Sequence, residues 1–223
     1  WIIGGISSFC RFFEVLVSAY VIFNLSESAL LVALNSGLRV APLLAVGSII
    51  GKYSDIFDKR FFINFSTLIF ITSSLIAFIL MITNLIEVWH LLSLSFFSGL
   101  GWAFEFPSRR SFMGDILKSS NVSLGIGMDL TISNFGRFIG PVAAGILIDY
   151  FIDYSFVFSS SFYLVSFIMS LLIFKTTKKN IPNSVEKYKV SSPFKTLIKN
   201  HMFRTVLLVT IVCNIWAFPT TSM

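Results

Sequence analysis

The chain has 223 residues, of which 55% are hydrophobic and only 13% charged, and its net charge is +6. So little charge cannot cover the surface of a soluble domain of this size, and a mean hydropathy of +0.84 places the chain among membrane proteins. Its two cysteines, Cys10 and Cys213, lie inside apolar runs and have neither the number nor the spacing of a disulfide framework or a metal site.

A helix needs about 20 residues to cross a hydrocarbon core of about 30 Å. Backbone groups find no water partner in lipid, so each long apolar run is expected to be helical. The first predicted span covers 2–23 and carries Arg11 and Glu14 near its middle; three residues apart, they share a helix face within pairing reach. This run is too long for a signal-peptide core, and no small-residue cleavage site follows it. The chain opens on Trp1, which is not a start residue, so a trimmed or processed N-terminus is expected. The second span, 29–51, holds Arg39 near its middle. Gly51 permits a tight helix exit, Asp55 and Asp58 follow, and Lys59 and Arg60 mark a membrane boundary. Asp55 is placed to cap a helix start.

The third span is 61–83 and the fourth 88–107. Glu105 stands four residues before Arg109 at the far end of the fourth, and His90 sits beside Trp89 at its start. The fifth span, 124–148, holds Asp129 in its first turns, where a helix N-terminus favours an acid, and Arg137 near its middle. Its small residues Gly127, Gly136, Gly140, Ala144 and Gly145 suit close helix packing, and Pro141 bends it. The sixth span is 153–174. A Lys-rich segment at 175–203 with Pro182 and Pro193 reads as a central loop, and 204–223 reads as a seventh helix cut short. The fold class expected is thus an all-α membrane protein: a six-helix bundle over 1–174, the loop, and the start of a second bundle.

Lys and Arg fix the expected orientation. The connectors after spans two, four and six carry Lys52, Lys59, Arg60, then Arg109, Arg110, Lys118, then eight more basic residues from Lys175 to Arg204. The other connectors carry Glu27, Glu87, Asp149 and Asp153. The N-terminus and the 175–203 loop are therefore expected in the cytoplasm, at the cell or inner membrane. The positive charge serves anionic headgroups, and no nucleic-acid partner is expected.

Ionisable residues deep in lipid are costly and default to functional hypotheses. Arg11, Arg39 and Arg137 against Glu14 alone suggest a cavity with surplus positive charge, suited to an anionic or amphipathic substrate. A structural network locking the helices together is the equal alternative. Glu14 is the candidate proton-binding carboxylate. A membrane prenyltransferase is the rival from another class: Asp55 and Asp58 form one acidic pair, and Asp149 and Asp153 another. A metal-diphosphate site needs both pairs in one place, and the topology puts them on opposite sides. No cofactor or metal is expected. A half-sized membrane protein that dimerises is a further alternative.

Two segments carry a resemblance. Gly51, Asp55, Lys59 and Arg60 match the loop motif G-x-x-x-D-[RK]-x-G-[RK]-[RK], with Ile56 and Asp58 departing from it. Gly127, Gly136, Gly140, Pro141 and Gly145 match G-x8-G-x3-G-P-x2-G-G, with Ala144 departing. Both are signatures of the major facilitator superfamily, and the chain resembles its drug and siderophore exporter branch, which includes the enterobactin exporter and macrolide efflux proteins. The Pro107–Asp115 stretch and the Asn134–Pro141 run are similar to the same branch. The resemblance implies an antiporter, not an enzyme, that exports a small molecule by alternating access and is driven by a proton or ion gradient. It implies a latch by Asp55 on a helix end of a C-terminal six-helix half, span 5 packed on span 8, and a monomer when complete. Proton-coupled members often carry Arg in R-x-x-x-G-x-G of span 4; here Gly99 and Gly101 are present, but Ser95 holds the Arg position.

Overall fold

The computed structural model describes residues 1–54, 58–117, 119–176 and Thr205. The chain divides into two compact units, Trp1–Lys179 and Asn180–Met223. The central loop falls almost wholly outside the described residues, as does the seventh span beyond Thr205.

Every element among the described residues is helical. The six α-helices are α1 (Ile2–Ser26), α2 (Ala29–Ser54), α3 (Lys59–Ile82), α4 (Val88–Ile116), α5 (Val122–Phe151) and α6 (Ser155–Thr176). The local chemistry explains several ends. α1 stops where Glu27 takes a left-handed conformation, φ 50°, and its N–H donates back to the Phe23 carbonyl. Asp58 caps α3 by accepting from the Arg60 N–H at 3.1 Å. Glu87 opens α4 with a reciprocal cap, its carboxylate taking the His90 N–H while its own N–H donates to His90 Nδ1.

Most helices outrun the predicted spans by two or three residues, and α4 by nine. α2 runs through Gly51 to Ser54. α4 runs through Pro107 to Ile116, nine residues past the apolar stretch. Hydropathy reports where lipid ends, whereas a helix ends where its backbone bonding ends. Residues 108–116 are polar and helical at once. Among the described residues, Ile2–Ser26, Ala29–Val46, Lys59–Ile82 and the joined stretch Val122–Leu172 are long and apolar enough to cross a membrane. α4, which carries Glu105, Arg109, Arg110 and Asp115, is not among them.

α1 packs against α5 and α6, α4 against α2 and α3, and α3 against α6. Glycines set the closest approaches. A Cβ on Gly140 would lie 2.7 Å from the Phe9 carbonyl oxygen and 2.9 Å from the Phe13 nitrogen. On Gly136 it would lie 2.8 Å from the Phe9 nitrogen. The backbones of α1 and α5 meet there with no room for a side chain. Gly99 likewise meets the Arg39 carbonyl oxygen, bringing α4 onto α2.

The interior holds apolar residues such as Phe13, Val17, Ile22, Leu91 and Phe156, but also a large set of buried serines. The outside carries Leu30, Leu44, Phe138 and Phe135 fully in the open. An apolar exterior around a polar interior is stable only where the surroundings are lipid.

α3 orients the bundle's two ends. Its start meets the end of α4, where Lys59 Nζ lies 2.6 Å from Asp115 Oδ2. Its far end meets the turn between α5 and α6, with the Phe78 and Tyr154 rings 6.3 Å apart. Its 24 residues span about 36 Å at 1.5 Å each, enough to cross a bilayer core.

Candidate functional site

Among the described residues, six charged side chains are buried together. Arg11, Arg39 and Arg109 are at most 7% exposed, and Glu14, Glu105 and Asp129 at most 4%. They come from α1, α2, α4 and α5 and form two linked groups.

The first group lies toward the basic end. Arg11 Nη2 donates to Glu105 Oε2 at 2.7 Å, and Arg109 Nη1 donates to Asp129 Oδ1 at 2.7 Å. Arg109 Nε stands 3.7 Å from the other Glu105 oxygen. The Arg11 guanidinium also lies over the Trp102 ring, 4.8 Å from its centroid. Gly4 makes the space: a Cβ there would overlap the Arg109 guanidinium. This group ties α1, α4 and α5 with short, charge-assisted bonds in which the arginines only donate.

The second group surrounds Glu14. Its Oε1 lies 2.8 Å from Ser74 Oγ of α3 and 2.7 Å from Ser159 Oγ of α6. The two hydroxyls are 2.6 Å from each other, and both reach the Phe156 carbonyl, at 2.9 and 3.0 Å. Arg39 approaches the other carboxylate oxygen only to 3.8 Å. It spends Nη1 on the Arg11 carbonyl at 3.1 Å and turns Nη2 toward Ser95 Oγ at 3.5 Å. That carbonyl links the two groups. Nearby, Asn35 Nδ2 donates to Ser18 Oγ at 3.0 Å.

Arg11 and Glu14, expected within pairing reach, do not pair. Three residues along a helix leave the side chains about 60° apart, and the partners decide the outcome: Arg11 turns to Glu105 of α4, and Glu14 to Ser74 of α3 and Ser159 of α6. The expected surplus of positive charge is also absent among the described residues: three buried arginines meet three buried carboxylates. Glu105 and Asp129, placed near helix ends by hydropathy, belong to the network because α4 and α5 continue beyond the apolar stretch. Arg137 stands apart, exposed, with its guanidinium over the Phe12 ring at 4.8 Å.

The span 5 motif is two-faced. Gly136, Gly140 and Ala144 face α1 or the core, whereas a Cβ on Gly127 or Gly145 would meet nothing within 4 Å. Gly127 and Gly136 are nine residues apart, half a turn out of phase. Gly127 lines an open groove of about 700 Å³ along α5 with Ser123, Met128 and Thr131. Of the loop motif, Gly51 lies within α2, Asp58 caps α3, Lys59 pairs with Asp115, and Arg60 lies over the Phe112 ring at 5.9 Å. Asp55 lies outside the described residues. Asp58 is at one end of α3, and Asp153 adjoins Tyr154 at the other. Those two acids are too far apart for one metal-diphosphate site.

A scan of protein families matches residues 1–218 to the model described as transmembrane secretion effector, which lies within the major facilitator superfamily. The chain belongs to this family. A comparison with curated proteins returned no match. The membership makes the chain a multi-pass membrane transporter of efflux type, in agreement with its helical bundle and apolar exterior. Within this secretion effector, Ser74, Ser159, Ser18 and Ser98 are candidate-site residues that sequence reasoning missed, and Ser95 and Arg109 were named without being placed in the site. Buried hydroxyls are too common in membrane helices to mark a site until the fold brings them onto one carboxylate.

Proposed function

We propose that the protein exports a small amphipathic compound across the cell or inner membrane in exchange for protons, and that Glu14 is the proton-binding carboxylate. Its N-terminus and the 175–203 loop face the cytoplasm in this reading, and a second six-helix bundle completes the translocation path as the bundles alternate. The missing positive surplus removes the reason for preferring an anionic substrate.

The Ser74–Ser159 pair on Glu14 carries the reading. A serine has one O–H to donate and lone pairs to accept. With Glu14 ionised, both hydroxyls can turn their protons to Oε1. With Glu14 protonated, its O–H donates to one serine, and the serine protons turn to each other or to the Phe156 carbonyl. Glu14 Oε1 and both serine hydroxyls keep a partner in both states, so neither state leaves one of these three groups unpaired. Arg39 keeps the Arg11 carbonyl in both states as well. Glu105 and Asp129 lack this freedom, because each is held by a guanidinium that donates only. They are the structural clamp, and Glu14 is the moving charge.

The test is dye retention in cells expressing the complete protein. Such cells should retain less ethidium than controls, and a protonophore should abolish the difference. Efflux that persists unchanged under the protonophore counts against proton drive.

A further inference from the structure

Arg39 Nη1 and Glu14 Oε2 are 3.8 Å apart, too far for a direct hydrogen bond. Polar groups at that separation commonly share a water. Beside the gap lies a cavity of about 20 Å³, lined by Glu14, Arg39, Ser18, Ser73, Ser95 and Ser98, with Ala77 and Leu91 on its apolar side. A water needs roughly 10–15 Å³ and two to four polar partners. The cavity meets both requirements. Arg39 Nε is buried without a protein partner and adds a further donor.

We infer that this cavity binds a single water, which bridges Glu14 to Arg39 and carries protons to and from the carboxylate. The inference rests on Glu14 being the proton site. In the loading step a hydronium in the cavity gives up one proton. Its O–H bond breaks with the electron pair left on the water, a new O–H bond forms on Glu14 Oε2, and a neutral water remains. The charged and titratable groups around Glu14 are Arg39 from α2, Arg11 and Cys10 from α1 itself, and Tyr163 from α6. α3 and α4 present only hydroxyls, from Ser73, Ser74, Ser95 and Ser98. Hydroxyls orient a water without competing for its charge. The Arg39 guanidinium disfavours a hydronium in the cavity relative to a neutral water, which favours delivery of the proton to the carboxylate over its retention in the cavity.

The experiment follows the Glu14 carboxyl by infrared difference spectroscopy between acid and alkaline pH, on the complete protein in lipid nanodiscs. The Glu14 band is the protonated-carboxyl signal that Glu14→Gln removes. The exchange rate of its proton is read after transfer to D₂O. Ala77→Val fills the cavity and keeps every polar group; Ser98→Val fills it from α4 and serves if the first variant fails to fold. In either variant the band should persist while exchange slows by an order of magnitude or more, because exchange then waits on local opening of the bundle. Unchanged exchange in a folded, cavity-filled variant overturns the water. If Glu14→Gln removes no band, the proton site itself is wrong, which is a different failure.

Discussion

Two ion pairs of nearly equal length should differ widely in worth. Arg11–Glu105 has an N–O distance of 2.7 Å with side chains 8% and 2% exposed; Lys59–Asp115 has 2.6 Å, but the Asp115 side chain is 53% exposed. Breaking a buried pair from one side strands a charge and costs about 3–5 kcal/mol, whereas an exposed pair is worth about 0.2–1 kcal/mol. Glu105→Gln strands Arg11 in particular, because Arg109 keeps Asp129 at 2.7 Å. The Trp102 ring under Arg11 returns part of the loss, about 0.5–2 kcal/mol for a cation over an aromatic face. A net cost of about 1–4.5 kcal/mol remains for the single variant. Arg11→Leu with Glu105→Leu removes both charges and should be much closer to wild type than either single change. The assay is a double-mutant cycle on chemical or thermal unfolding in detergent, run in parallel for Lys59 and Asp115. A coupling below about 0.5 kcal/mol for Arg11–Glu105, or one equal to that of the exposed pair, refutes the claim that burial sets its strength.

Further outcomes follow from the same geometry. Gly140→Val should destabilise the bundle by about 1–3 kcal/mol or more, because its Cβ meets backbone atoms that cannot step aside; Gly145→Ala, with nothing within 4 Å, should not destabilise and should gain up to about 1 kcal/mol of helix propensity. Gly4→Ala should push the Arg109 guanidinium from its place and lower stability by an amount not additive with Asp129→Asn, since both changes undo one contact.

The fold was largely legible because lipid imposes one rule, helical backbone, and apolar runs of about 20 residues report it directly. Six helices lie where the runs lie. The ends of α2 and α4 were less legible, because polar turns such as 108–116 are invisible to hydropathy while their backbone stays helical. Arg11, Glu14 and Arg39 were visible as charges in apolar runs, and the structure buries all three. Their partners were not visible. Pairing depends on which neighbour each face meets, and Glu14 reaches Ser159, 145 residues away. Spacing within one helix could not choose between Arg11 and the serines. Arg137 sits as deep in its apolar run as Arg11 but faces outward, a distinction that needs the α1–α5 contact through Gly136 and Gly140.

Whether Glu14 carries the coupling proton can be read from a single reconstitution. The complete protein is reconstituted in liposomes with ethidium as the transported dye, and wild type is compared with Glu14→Gln under an imposed pH gradient and without one. The wild type should move dye against its concentration gradient when protons flow the other way. Glu14→Gln, which keeps the shape and the serine bonds but not the titrating group, should move dye only down its gradient. Gradient-driven accumulation by Glu14→Gln at the wild-type level would contradict that role for Glu14.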